Sequence, residues 1–203
     1  MSSEQSIPAA NCPYCNVILI PVPKSKKKCP SCGKDIYVRT DPFNRQPLFI
    51  GQEDALTLDI IKHLQISEDE FQEAKKKTLY NQHPKDWVWG FLNEKKQNLA
   101  RKGDWQSMSR ITWQQARIQY TLGKSYFHLL QEAMKEQLQG ESAHGVTHAQ
   151  VIACKDDRTC KKCASLDGEI FTIKEALEKM PLPVKCDSDE GWCRCAYGYH
   201  VQP

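Results

Sequence analysis

Ten cysteines stand among the 203 residues, and their spacing is the first chemical signal in the chain. Cys12, Cys15, Cys29 and Cys32 form two Cys-x-x-Cys pairs separated by thirteen residues, Cys12-Pro13-Tyr14-Cys15 and Cys29-Pro30-Ser31-Cys32-Gly33. Proline after the first cysteine restricts each turn, and a positive φ after the second, as glycine adopts readily, turns backbone amides toward the sulfurs. Two such knuckles face to face supply four thiolates in a tetrahedron, the arrangement of a structural zinc ion. With all four positions filled by cysteine, no place remains for water or substrate, so this ion is expected to staple and not to catalyse.

Six further cysteines gather in the last fifty residues: Cys154, Cys160, Cys163, Cys186, Cys193 and Cys195. The simplest arrangement is a second tetrahedral site from Cys160, Cys163, Cys186 and either Cys193 or Cys195. Alternate residues of a strand point to opposite faces, so Cys193 and Cys195 reach one ion together only where the chain bends. Cys154 and the remaining thiol then fall to the core or to minor ligand roles. Lys161 and Lys162 would favour a thiolate at Cys160 or Cys163, but no βαβ pattern surrounds this pair to make it a redox motif. Two structural zinc ions, one at each end, are therefore expected.

The elements that must carry these ligands follow from local pattern. Val17-Ile18-Leu19-Ile20 and Ile36-Tyr37-Val38 are β-prone, so residues 1–45 read as a zinc ribbon of short antiparallel strands. Residues 41 to 52, with two prolines, Asn44 and Gly51, suit a linker. A mainly helical region over 53–140 comes next. Leu56, Ile60, Ile61 and Leu64 space a first helix from Glu53, and the capping box Ser67-Glu68-Asp69-Glu70 starts a second that runs to about Leu79. Pro84 opens a third, carrying Trp87, Phe91 and Leu92 and ending near Gly103. One long helix is predicted from Asp104 to about Leu138, because Trp113, Ala116, Tyr120, Gly123, Phe127, Leu130 and Met134 follow at steps of three and four. Such a seam requires a partner helix, from the same chain or from another. A Cys-rich module over 141–203 closes the sequence: strands at 149–153 and 169–171 around the turn Asp167-Gly168, a helix capped by Thr172 and Glu175 and stopped by Pro181 and Pro183, and a last strand at 196–199. The fold class is thus α+β.

Composition sets the outer bounds. Charged residues are 26% and apolar ones 40%, enough for a core. Apolar stretches are far shorter than the roughly 20 residues of a membrane helix. Met1 to Ala10 is polar, with no basic segment followed by an apolar one, so a signal peptide is not expected; the expected compartment is the cytoplasm, where thiols stay reduced. The net charge of +3 is uneven: residues 12 to 45 hold seven Lys or Arg against two Asp, and the rest hold 21 against 23 acidic residues. Lys24, Lys26, Lys27 and Lys28, between the knuckles, permit contact with DNA phosphates, with Tyr37 as a stacking partner. His144 and His148 are four apart, a spacing that on a helix turns both toward one metal; Gly145 stands where a zincin has its Glu, which argues against a metalloprotease.

The run Asp157-Arg158-Thr159-Cys160-Lys161-Lys162-Cys163-Ala164-Ser165-Leu166-Asp167-Gly168-Glu169-Ile170-Phe171, a proline-rich stretch and then Cys193-Arg194-Cys195 resemble the carboxyl-terminal part of MuF-type phage minor head (head morphogenesis) proteins. That family's pattern is similar to Asp-x-Arg-Thr-Cys-x-x-Cys, Leu-Asp-Gly and Pro-x-His-Pro-x-Cys-Arg-Cys. The likeness covers about a quarter of the chain. It implies a phage or prophage protein of capsid assembly or DNA packaging, with no established small-molecule reaction and a virion-associated location if phage-encoded. The family histidine is absent, with Cys186 near its place; Asp187-Ser188-Asp189-Glu190 is inserted, and the ribbon is not a usual part of the family. The expectation is a non-enzymatic zinc-binding structural or interaction protein. It would meet a partner protein through its helical middle and DNA through the ribbon. Because MuF-type modules also occur within larger effectors, the alternative is a metal-dependent nuclease or toxin-like hydrolase using His144, His148, Asp156, Asp157 and Asp167, with paired Asp holding Mg²⁺.

Overall fold

A computed structural model describes residues 10–77, 84–186 and 192–201. Among the described residues the protein is α+β, with seven helices and two three-stranded antiparallel sheets. The chain divides into two compact units, residues 1–91 and 92–203.

In the first unit, β1 (Lys27–Lys28), β2 (Asp35–Thr40) and β3 (Pro47–Ile50) form a sheet in the order β1-β2-β3. The predicted strand at 17–20 is reduced to a single bridge, Asn11 to Ile18. Conversely, residues 41 to 52 do not act as a linker: Tyr37 pairs with Ile50 and Thr40 with Pro47, so β3 lies inside that stretch. The reason is the turn between them. Asp41 Oδ1 accepts from the amides of Phe43 and Asn44, and Arg45 takes a positive φ of 65°, so the residues read as linker punctuation are a hairpin turn.

Two helices follow, α1 (Gln52–His63) and α2 (Glu68–Lys77). Ala55, Leu56, Ile60 and Ile61 of α1 are buried, on the face its spacing predicts. Arg39 on β2 forks onto both carboxylate oxygens of Asp59 on α1 at 2.8 and 3.0 Å, fixing helix against sheet. Gly51 precedes α1 because a Cβ there would lie 2.9 Å from the Tyr14 hydroxyl, which accepts from the Gln52 amide. The Ser67–Glu70 capping box forms as expected, with Glu70 N–H donating to Ser67 Oγ at 3.2 Å and Ser67 N–H to Glu70 Oε2 at 3.1 Å. The predicted end of α2 at Leu79 lies outside the described residues.

A third helix, α3 (Pro84–Lys102), contains the division between the units. The long helix predicted from Asp104 to Leu138 is two helices, α4 (Trp105–Thr121) and α5 (Phe127–Ala143). Gly123 ends α4: at φ +67° its amide returns to the Tyr120 carbonyl and the next amide, of Lys124, returns to Gln119, which closes the helix in a Schellman motif. After a five-residue connection α5 runs back along α4. Gln106 donates to Glu141 at 3.1 Å, Thr112 Oγ1 to Glu136 Oε2 at 2.6 Å, and Tyr120 meets the Tyr126 ring at 5.0 Å, so partners on one helix descend as those on the other ascend, as antiparallel neighbours do. The seam thus finds its partner in its own second half, with Ala116, Leu130 and Met134 buried. Lys96 of α3 reaches Glu132 at 2.8 Å and the buried Glu136 at 2.9 Å, and Gln115 donates to Asn93 at 2.7 Å.

Beyond the hairpin, β4 (His148–Ile152), α6 (Lys161–Leu166), β5 (Ile170–Thr172), α7 (Ile173–Lys179) and β6 (Ala196–His200) complete the second unit, with strand order β5-β4-β6. The predicted strands, the Gly168 turn (φ 83°) and the Thr172–Glu175 capping box are all present. The core between sheet and helices buries Leu138, Ala149, Val151, Ala176, Leu182 and Cys193. Each large apolar side chain there contributes about 1.5–3 kcal/mol.

Candidate metal centres

The first centre is built by the ribbon's two knuckles. Asn16 takes φ 59° after the first knuckle and Gly33 takes φ 71° after the second, so asparagine supplies at one turn the conformation that glycine supplies at the other. The amides of Asn16 and Gly33 close the turns onto the carbonyls of Cys12 and Cys29. All four sulfurs of Cys12, Cys15, Cys29 and Cys32 lie within 4.8 Å of one another. Cys12 and Cys32 are 3.8 Å apart and Cys15 and Cys29 3.7 Å. Zinc–sulfur bonds of about 2.3 Å put tetrahedral ligands about 3.8 Å apart, so the ribbon's sulfurs fit a zinc ion. The thiols are free, none being joined in a disulfide. The amide of Cys32, helped by that of Ser31, pulls Cys29 down to about 6, toward the thiolate a metal requires. At Cys32 the Lys34 amide acts the same way, but burial and the neighbouring sulfurs prevail and carry it up to about 11.

Around this centre the lysines of the run are already partly engaged. Lys26 and Lys28 pair with Asp35 at 3.0 and 3.3 Å, and the Lys26 ammonium stands 4.8 Å over the Tyr37 ring. The Asp35 contact, followed by that of Tyr37, raises the pKa of Lys26. Tyr37, expected as a stacking partner for bases, therefore has a cation over its ring, with Arg39 at 5.7 Å as well. Ile18, Ile20 and Val22 are exposed on the same module.

The second centre is assembled from three separated segments. Cys160 caps α6, its sulfur accepting from the Cys163 amide at 3.4 Å, so the Cys-x-x-Cys pair sits on the first turn of that helix. Cys186 arrives from the segment after the prolines, and Cys193 and Cys195 from the approach to β6. Neither of the last two lies within a strand, and both are buried. Cys160, Cys163 and Cys186 are mutually within 4.8 Å, and so are Cys163, Cys193 and Cys195. Cys163 lies 3.7 Å from Cys186 and 3.9 Å from Cys193. Burial, reinforced by neighbouring sulfurs, raises Cys163 strongly and carries Cys186 up to about 12. Burial opposes ionisation at Cys160 too, but the Cys163 amide and adjacent thiols bring it below the ordinary value. Five thiols, not four, thus converge here. Cys154, expected in the core or as a minor ligand, is exposed, and its thiol lies 3.2 Å from the Arg194 carbonyl.

Two carboxylates of the predicted hydrolytic set, Asp156 and Asp167, act as scaffold around this cluster. Asp156 receives both ends of the Arg194 guanidinium at 2.7 Å each and accepts from the Thr159 hydroxyl at 3.1 Å. Arg194 first, then Thr159, holds its carboxyl well below the usual range. The fork ties the loop ahead of Cys160 to the residue between Cys193 and Cys195. Sequence reading overlooked Arg194, although opposite charges beside both cysteine motifs were its signal. Asp167 accepts from the Ala153 amide at 3.0 Å and pairs with Lys155 at 2.9 Å, both of which depress it. His144 is the C-cap of α5 and His148 opens β4, with Gly145 at φ +84° between them, so the two share no helical face. Among the described residues, none of His144, His148, Asp156, Asp157 and Asp167 joins a cluster of three metal-binding groups. Nor is any helix there long and apolar enough to cross a membrane.

Compared with known proteins, the chain matches no family model, no curated sequence and no solved structure.

Proposed function

We propose that the chain is a non-enzymatic, zinc-holding structural and interaction protein of phage or prophage type, akin in role to minor head proteins. The observation that carries this reading is the closed set Cys12, Cys15, Cys29 and Cys32, whose sulfurs stand one tetrahedral edge apart and leave no position for a substrate. The second sulfur cluster supports it. There the residues that carry the MuF resemblance, Thr159, Cys160, Cys163, Asp167 and Cys193 to Cys195, work together as ligand candidates and as their scaffold. Bound zinc would link segments far apart in sequence and supply folding energy in place of a large core. This chemistry needs reduced thiols, which suits a cytoplasmic protein or, if phage-encoded, one carried in a virion.

Protein contact is assigned to the helical middle, at the connected end of the α4–α5 hairpin. Tyr120 there is 39% exposed and rests against Tyr126 and Trp192 at 5.0 and 5.4 Å. DNA contact is assigned to the ribbon's lysines, of which Lys24 and Lys27 lie exposed beside the Asp35-paired Lys26 and Lys28.

Zinc analysis of the purified, reduced chain tests the central claim: two or more zinc ions per chain are expected. Metal-free, fully folded protein, or one held by disulfides, would overturn it. Electrophoretic DNA binding by the chain with Lys24, Lys26, Lys27 and Lys28 replaced by Ser tests the ribbon; binding equal to that of the native chain removes it from the reading. Divalent-metal-dependent cleavage of nucleic acid that is lost in Asp157→Ala would establish the hydrolase alternative instead.

A further inference from the structure

The carboxyl-terminal cluster differs from the ribbon in a way that bears on how many ions it holds. A single tetrahedral ion requires four sulfurs that are all near neighbours, since its six edges are equal at about 3.8 Å. The ribbon's four cysteines satisfy this, every pair lying within 4.8 Å. Among the five converging thiols of the second unit no such foursome occurs. The largest mutually close sets among the described residues are two triads, Cys160, Cys163, Cys186 and Cys163, Cys193, Cys195. Cys163 belongs to both.

We propose that the second unit holds a two-zinc thiolate cluster in which Cys163 bridges one ion, bound with Cys160 and Cys186, to another, bound with Cys193 and Cys195, the fourth position of each tetrahedron being filled by a non-sulfur ligand. The inference rests on the reading of the chain as a zinc protein and extends it from two ions to three.

Three features of the site support the arrangement. Cys163 lies between the triads, 3.7 Å from Cys186 on one side and 3.9 Å from Cys193 on the other, separations that fit neighbouring ligands of one ion in each case. The second triad is the more deeply enclosed, its three thiols all being buried, so an ion there is shielded from solvent. Charge balance acts in the same direction: one divalent ion offsets two of five thiolates, three of them buried, whereas two offset four, and uncompensated charge in an apolar surround is costly. The Cys163 amide donates to the Cys160 sulfur at 3.4 Å, a backbone donor that stabilises thiolate in the first triad.

Native mass spectrometry of the full chain, loaded with zinc under reducing conditions and freed of excess metal, reads the stoichiometry directly. Three zinc ions are expected, falling to two in Cys195→Ser. Loading with cadmium-113 gives a second readout that requires no variant: two of the three resonances should split each other through the shared sulfur. Two ions in the native chain, three in Cys195→Ser, or three unsplit cadmium resonances would each overturn the bridged cluster while leaving the zinc reading intact. Fewer than two ions in the native chain would remove the reading on which it rests.

Discussion

Removing metal should unfold the ribbon while the α4–α5 hairpin stays folded. The large apolar side chains enclosed with the ribbon's sulfurs are Leu19 and Ile36, with Val17 and Phe49 only partly buried. Full burial of two such side chains contributes about 3–6 kcal/mol. A structural zinc ion in a small Cys/His module contributes about 10–16 kcal/mol near neutral pH. The ion therefore outweighs the apolar core about two- to fivefold on these figures, and losing it leaves too little to order the knuckles. Hydrogen exchange followed by mass spectrometry, with and without a strong chelator, is the assay. In the native chain the amides of Asn16, Cys29 and Gly33, which hydrogen-bond within the turns, should be protected. After chelation they should exchange at the rate of an unfolded peptide, and Cys29→Ser should reproduce this without chelator. Amides of α4 and α5 should keep their protection in both cases, because the hairpin's buried seam contains no cysteine. Ribbon amides that remain protected after the metal is gone would refute the argument, since the apolar core alone would then suffice.

Three more perturbations probe the second unit. Lys96→Met leaves Glu136, 4% exposed, without its ammonium partner and should cost about 3–5 kcal/mol in urea unfolding, with much of the loss recovered by adding Glu136→Gln. Thr172→Ala removes the side-chain half of a capping box and should cost about 1 kcal/mol, measured as a lower denaturation midpoint at unchanged slope. The depressed Asp156 favours the folded state above the ordinary carboxyl pKa of about 3.9 and loses that contribution as acid protonates it in the fold. Asp156→Asn should therefore lower stability at neutral pH and flatten the acid limb of the stability profile below about pH 4; an unchanged acid limb would show that the Arg194 fork contributes nothing.

Local signals in the sequence were reliable wherever local chemistry determines the backbone. The two knuckles, the caps at Ser67 and Thr172, and the Asp167-Gly168 turn all form where residue types place them. The long helix failed for a related reason. A three-and-four seam is equally consistent with one helix seeking a partner and with two halves of a hairpin packed on each other. In the spacing Gly123 is one more position of the seam, whereas its positive φ is what ends the helix. Likewise Asp41, Asn44 and Arg45 signalled a break in regular structure without revealing that the chain reverses there and returns as β3. The sulfur ligands could be named but not grouped. The partition of five thiols into two triads depends on where β6 and the segment at Cys186 dock, and Arg194 meets Asp156 across 38 positions. Spacing along the chain has no access to such distances.

The order of the second sheet places β4 at its centre, with β6 joined along five residue pairs from His148–His200 to Ile152–Ala196. Cys193 and Cys195 lie directly ahead of that last strand, so they reach Cys163 only once it has been zipped into place. Ion capture at this end of the molecule therefore doubles as an inspection step: a chain whose final strand is misregistered presents an incomplete sulfur set and retains less metal, which makes zinc retention a gauge of correctly finished folding.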